Sequence, residues 1–166
     1  MMANNYHGKT ILGELMDNIT VANADSTQAV FVGKETNRGL EVQVYVGDTA
    51  LEMADTDTLE FYLQSAADDT LADAEAPIST SNAGGQPNAT GTNEHDATHI
   101  AADGATYGWQ VTATTGGITW AVGDLICTIG VPETLMRLSG HTYVQLKMIQ
   151  TGSPSGTVDA FVVGTV

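Results

Sequence analysis

Basic residues are the scarcest class in this chain of 166 residues. Five Lys and Arg (Lys9, Lys34, Arg38, Arg137 and Lys147) stand against 20 Asp and Glu, a formal net charge of −15. Binding to a phosphate backbone depends on clustered Lys and Arg that displace counterions, so nucleic acid is not an expected partner. The same repulsion argues against an anionic membrane surface. No run of 18 apolar residues occurs, so no segment reads as a membrane-spanning helix. Residues 1–7 are polar, without the apolar stretch of a secretory signal. The single cysteine, Cys127, excludes an intramolecular disulfide and fits folding in a reducing compartment. In that setting the triplets Asn18-Ile19-Thr20 and Asn88-Ala89-Thr90 read as chance matches to a glycosylation site.

The acids are unevenly placed. Between Arg38 and Arg137 lie 98 residues with fifteen acids and no Lys or Arg. Such a stretch is the mark of a solvated, self-repelling surface; cation binding or a producer living in high salt are the sharper alternatives.

What the chain does have is period-two hydrophobicity. Leu40, Val42, Val44 and Val46 alternate with polar or larger residues, and Leu59, Phe61 and Leu63 do the same. That pattern predicts half-buried strands. Further strands are expected at 29–32, 107–114, 118–122, 124–130, 135–138, 142–149 and 157–163. Gly116-Gly117 suits a tight hairpin joining 107–114 to 118–122, and 152–156 (Gly-Ser-Pro-Ser-Gly) reads as a hairpin turn. The segment 48–56 reads as an acidic loop. Residues 1–28 read as an N-terminal arm or short helical lead, because Ile11, Leu12, Leu15, Met16 and Ile19 recur at helical spacing, although Gly13 and Asn18 weaken a helix. Residues 29–166 form the main domain, with a long acidic loop excursion over 70–106 and a short helix conceivable at 70–76. Many short strands without crossover helices predict an all-β, antiparallel β-sandwich, jelly-roll-like.

The chain offers little chemistry. Gly152-Ser153-Pro154-Ser155-Gly156 has the glycines of a nucleophile elbow but Pro at the nucleophile position. Gly33-Lys34-Glu35-Thr36 lacks the upstream Gly and the Ser or Thr after Lys that a phosphate loop needs. His95 and His99, four apart, would share a helix face able to hold a divalent metal, but the following residue is Asp96, not the Glu of a zincin. Asp55, Asp57, Asp68 and Asp69 supply oxygen ligands without the full calcium-loop pattern. Trp109 and Trp120 read as core, or else as a sugar-stacking platform. Cys127, between Ile126 and Thr128, reads as a buried inert thiol. Neither a catalytic set nor a cofactor or metal site is expected, so the chain reads as a non-enzyme.

A family likeness lies in the order of segments. Asn18-Ile19-Thr20-Val21-Ala22-Asn23-Ala24-Asp25-Ser26-Thr27-Gln28 leads into the strand at 39–46, followed by Thr58-Leu59-Glu60-Phe61-Tyr62-Leu63-Gln64-Ser65-Ala66-Ala67-Asp68-Asp69. Near the end stand Leu135-Met136-Arg137-Leu138, Tyr143-Val144-Gln145-Leu146-Lys147 and Gly156-Thr157-Val158-Asp159-Ala160-Phe161-Val162-Val163. This order resembles the capsid cement (decoration) proteins of tailed bacteriophages, the Bordetella phage type in particular, over 18–69 and 124–163; residues 70–123 read as an insertion. The resemblance implies a jelly-roll-like fold, a homo-dimer or homo-trimer, the major capsid protein as partner, and a place on the outer capsid surface of a virion after synthesis in the host bacterial cytoplasm. It carries no catalytic residues. Tyr6, Lys9, Ile11 and Leu12 are the expected capsid or subunit contacts. The competing expectation is a β-sandwich carbohydrate-binding or virion-surface adhesion module.

Overall fold

The computed structural model describes residues 9–25, 27–32, 39–66, 95–99, 108–113, 115–131 and 142–165. The protein is all-β. Its strands are β1 (Lys9–Thr20), β2 (Ala24–Asp25), β3 (Val30–Phe31), β4 (Glu41–Val46), β5 (Leu51–Met53), β6 (Thr58–Ala66), β7 (His95–His99), β8 (Gly108–Ala113), β9 (Ile118–Trp120), β10 (Leu125–Gly130), β11 (Tyr143–Thr151) and β12 (Thr157–Thr165).

The strands form two main antiparallel sheets. The first has the order β1-β12-β4-β10. The second runs β2-β11-β6-β8-β7, with β3 continuing the β2 edge against β11. Treat β2 and β3 as one interrupted strand and letter the eight principal strands B to I in chain order, leaving out β5, β7 and β9. The sheets then read B-I-D-G and C-H-E-F, the connectivity of a jelly roll. The alternation that marked the strands also builds the core. Val42, Val44, Val46, Leu59, Phe61, Leu63, Val158, Ala160 and Val162 are all buried between the layers. Trp109, Val111, Leu146, Met148 and Ile129 join them. A small ribbon of β5 and β9 closes one end, with Leu51 opposite Trp120 and Met53 opposite Ile118, all four buried.

Several local expectations change. The helical lead is strand β1, paired with β12 from Lys9 opposite Thr165 to Thr20 opposite Thr157. Its register slips between Ile11 and Gly13, between Glu14 and Met16, and between Met16 and Ile19. Each slip adds residues and breaks the period of two, so a bulged strand reproduces the three-and-four spacing of a helix. The Gly116-Gly117 turn has positive φ at both residues (94° and 73°) but joins no hairpin. β8 pairs with β6 and β7, while β9 pairs with β5. A Cβ on Gly117 would lie 2.3 Å from the Met53 carbonyl oxygen, so the glycine is needed for the approach of β5.

The acidic loop 48–56 contains β5. The 152–156 turn crosses between sheets, from β11 to β12, instead of closing a hairpin. Within it Ser155 exchanges both backbone hydrogen bonds with Glu52, at 2.8 and 2.9 Å. Inside the 70–106 excursion, 95–99 is strand β7. The rest of that excursion, the helix conceived at 70–76 and the strand expected at 135–138 lie outside the described residues.

Candidate functional site

β1 and β3 face each other across one side of the sandwich, and a glycine lets them meet. A Cβ on Gly13 would stand 2.8 Å from both Val30 methyl groups. Leu12 and Phe31 flank this contact in sequence, and both are exposed, at 40% and 61%. Phe31 is braced by Tyr143, its cross-strand partner, in an edge-on contact with centroids 5.2 Å apart. Leu12 lies beside Gly164 of β12, where an added Cβ would come within 3.3 Å of its Cδ1. Val122 is the other large apolar residue exposed among the described residues, in the turn between β9 and β10. Leu12 and Phe31 are thus exposed apolar side chains next in sequence to the Gly13–Val30 contact, and alternation turns Phe31 to the face of β3 away from Val30.

Of the four expected contact residues, Ile11 is half-buried opposite Val163 and Leu12 is exposed beside it. Lys9 opens β1 opposite Thr165. Tyr6 lies outside the described residues. The exposure of Phe31 was not anticipated because 29–32 reads as a plain apolar run. Strict alternation around the buried Val30 was the signal that puts Phe31 outside.

Further along β1 the surface turns acidic. Asn18, at φ 49°, donates its backbone N–H to Asp159 Oδ1 at 2.6 Å. Its side chain reaches Asp48, donating from Nδ2 to Oδ2 at 3.2 Å and accepting the Asp48 N–H at 3.0 Å. Burial raises the Asp159 pKa; the Asn18 N–H opposes this, and the charges of Asp17 and Asp48 add to the rise. Glu14 is raised too, by burial first and then by Asp17 and Asp159. Acids therefore follow Leu12 along β1. On β4, facing outward, Tyr45 donates to Gln43 at 2.7 Å and Gln43 to Glu41 at 2.6 Å, while the Tyr45 ring leans on Phe161. On the outer face of the second sheet, Glu60 accepts from Tyr62 and, at 2.8 Å, from Gln110.

The remaining candidates resolve as structure. His95 and His99 lie on an extended strand, where positions four apart are about 13 Å distant. The shared helix face expected of them is therefore not formed. Asp57 is buried, and both its oxygens accept backbone N–H groups, from Ala54 and Ser153. Asp55 is exposed, and Asp68 and Asp69 lie outside the described residues. Among the described residues no three His, Cys, Asp or Glu side chains group as metal ligands. Trp109 and Trp120 are fully buried and present no face for a sugar to stack on. Cys127 is buried and free, and desolvation raises its thiol well above its ordinary pKa. Comparisons with protein-family models, curated proteins and solved structures find no match to this chain.

Proposed function

We propose that this protein is a non-enzymatic capsid decoration (cement) protein. It sits on the outer surface of a phage head as a homo-dimer or homo-trimer and bridges neighbouring major capsid subunits. The observation that supports this reading is the pair of exposed apolar side chains Leu12 on β1 and Phe31 on β3, set on a braced jelly roll in a strongly acidic chain. Fully burying a side chain of this size contributes about 1.5–3 kcal/mol. One such contact is weak, but many copies on a lattice, each bridging two subunits, make it cumulative. The protein binds only the assembled shell, so occupancy stabilises the shell by mass action. The acidic remainder keeps densely coated particles from associating.

The test is copy number relative to the major capsid protein in purified particles, by quantitative mass spectrometry. A simple ratio with hundreds of copies is expected; absence from particles overturns the reading. Because β1 is part of the sheet, Leu12→Asp and Phe31→Asp test the contact more cleanly than deletion of 1–15. Both should cut occupancy about tenfold or more while leaving the thermal melt close to wild type. Unchanged occupancy with both would move the contact elsewhere.

A further inference from the structure

Among the described strands, two features of the opposite side of the sandwich fit together. Among the described strands β10 ends the first sheet and pairs with β4 alone. Val131 N–H donates to Leu40 at 2.9 Å, and Ile129 and Cys127 follow in register opposite Val42 and Val44. By antiparallel alternation these residues turn their N–H and C=O toward β4, while Thr128 and Gly130 turn theirs away. No described strand receives them. A Cβ on Gly130 would meet no heavy atom within 4 Å, so the outer face of the sheet at Gly130 carries no described neighbour. β10 (Leu-Ile-Cys-Thr-Ile-Gly) has no charge and no proline, the usual devices that blunt an edge, and a register slip only at its start. β1, the other end strand of the sheet, carries three slips.

The second feature is a mismatch in strand number. β7 extends the second sheet beyond β8, and no described strand of the first sheet lies over it. A strand added beside β10 would occupy that layer. In register, Ala97 stands opposite Val111 and His99 opposite Trp109, two buried residues of β8.

We propose that the β10 edge accepts an extended, basic segment of a partner protein as an added strand. Its backbone pairs with Thr128 and Gly130, its alternate apolar residues cover β7, and its Lys or Arg residues meet the acidic surroundings. The charge follows from the neighbourhood. Glu41 stands opposite Gly130, Asp124 precedes β10, and Asp96 lies in β7. No Lys or Arg occurs anywhere between residues 38 and 137. A second copy would bring the same acids to its own edge and be repelled, whereas a basic strand is steered in. This inference stands whether or not the protein coats a capsid.

Amide NMR of the full chain tests it, with two synthetic ten-residue peptides as probes. Both alternate Val with a charged residue, Lys in one and Glu in the other. In the free protein the Thr128 and Gly130 amides should exchange much faster than those of Cys127 and Ile129. The Lys peptide should shift and protect Thr128 and Gly130, binding about tenfold or more tighter than the Glu peptide, and less tightly as salt rises. Thr128→Pro removes one outward N–H without touching the β4 ladder, and should abolish binding while keeping the wild-type fluorescence of the buried tryptophans. Protection of Thr128 in the free protein at every concentration would overturn the proposal, because the edge would already be paired. Protection that grows with protein concentration would assign the edge to a second copy instead. Equal binding of the two peptides, or shifts confined to other residues, would equally defeat it.

Discussion

Asp57 Oδ1 accepts the backbone N–H of Ser153 at 3.0 Å, fastening the turn before β6 to the crossover between β11 and β12. Its other oxygen accepts the Ala54 N–H at 2.8 Å within its own turn. Gly152 makes room for the carboxylate. With φ at 88°, a Cβ there would lie 1.9 Å from Asp57 Oδ1. One buried side chain thus ties together two connections 96 residues apart in sequence.

Asp57→Ala leaves two backbone N–H groups without their acceptor and should lower stability by about 2–4 kcal/mol. Asp57→Asn keeps one acceptor oxygen and should lose roughly half as much. Urea unfolding followed by tryptophan fluorescence measures both. A loss below about 0.5 kcal/mol for the alanine variant would mean that the clasp adds nothing to stability.

Gly13→Ala places a methyl group 2.8 Å from both Val30 methyl groups. Val30 is buried and β-branched, so it has no free rotamer into which to retreat. The substitution should cost about 1–3 kcal/mol, and the double variant with Val30→Ala should recover part of that loss. Additive losses in the double variant would show that the two residues do not meet.

Asp159 carries a carboxyl raised above its ordinary pKa. It holds its proton more tightly folded than unfolded. Its contribution to stability is therefore present at pH below the unfolded value and is lost as pH rises through the interval up to the folded value. Asp159→Asn removes the charge yet keeps an oxygen for the Asn18 N–H. The variant should be more stable than wild type near pH 7, by about 0.5 kcal/mol for a group only partly buried, and the gain should vanish at acid pH. A variant less stable at pH 7 would mean that the charge-assisted bond to Asn18 outweighs burial and repulsion.

Cys127 is fully buried, and desolvation disfavours its thiolate. In the native protein it should resist thiol reagents at pH 8 and react stoichiometrically once the chain is unfolded. Prompt native labelling would place it at the surface.

The layer pattern was legible at β4, β6 and β12, because strict alternation there has only one way to bury its apolar face. It misled at β1, where three slips disguise a strand as a helix. It also misled at Gly116-Gly117 and 152–156. Turn residues there announce a reversal but not the sheet to which the chain returns. Of the candidate contact, Leu12 was legible from its place in the lead segment. Phe31 was hidden inside an apolar run, and its pairing with Tyr143, 112 residues later, has no local trace.

The sequence alone determined the all-β class, the acidic surface and the core faces of the regular strands, since each follows from residue type and spacing within a few positions. Tertiary structure alone decided the jelly-roll order, the clasp of Asp57 on Ser153, the Gly13–Val30 approach of β1 to β3, and the place of β10 at the end of the described first sheet. These depend on which distant strands pair, and that choice is made by packing over the whole core rather than by any segment's own preference.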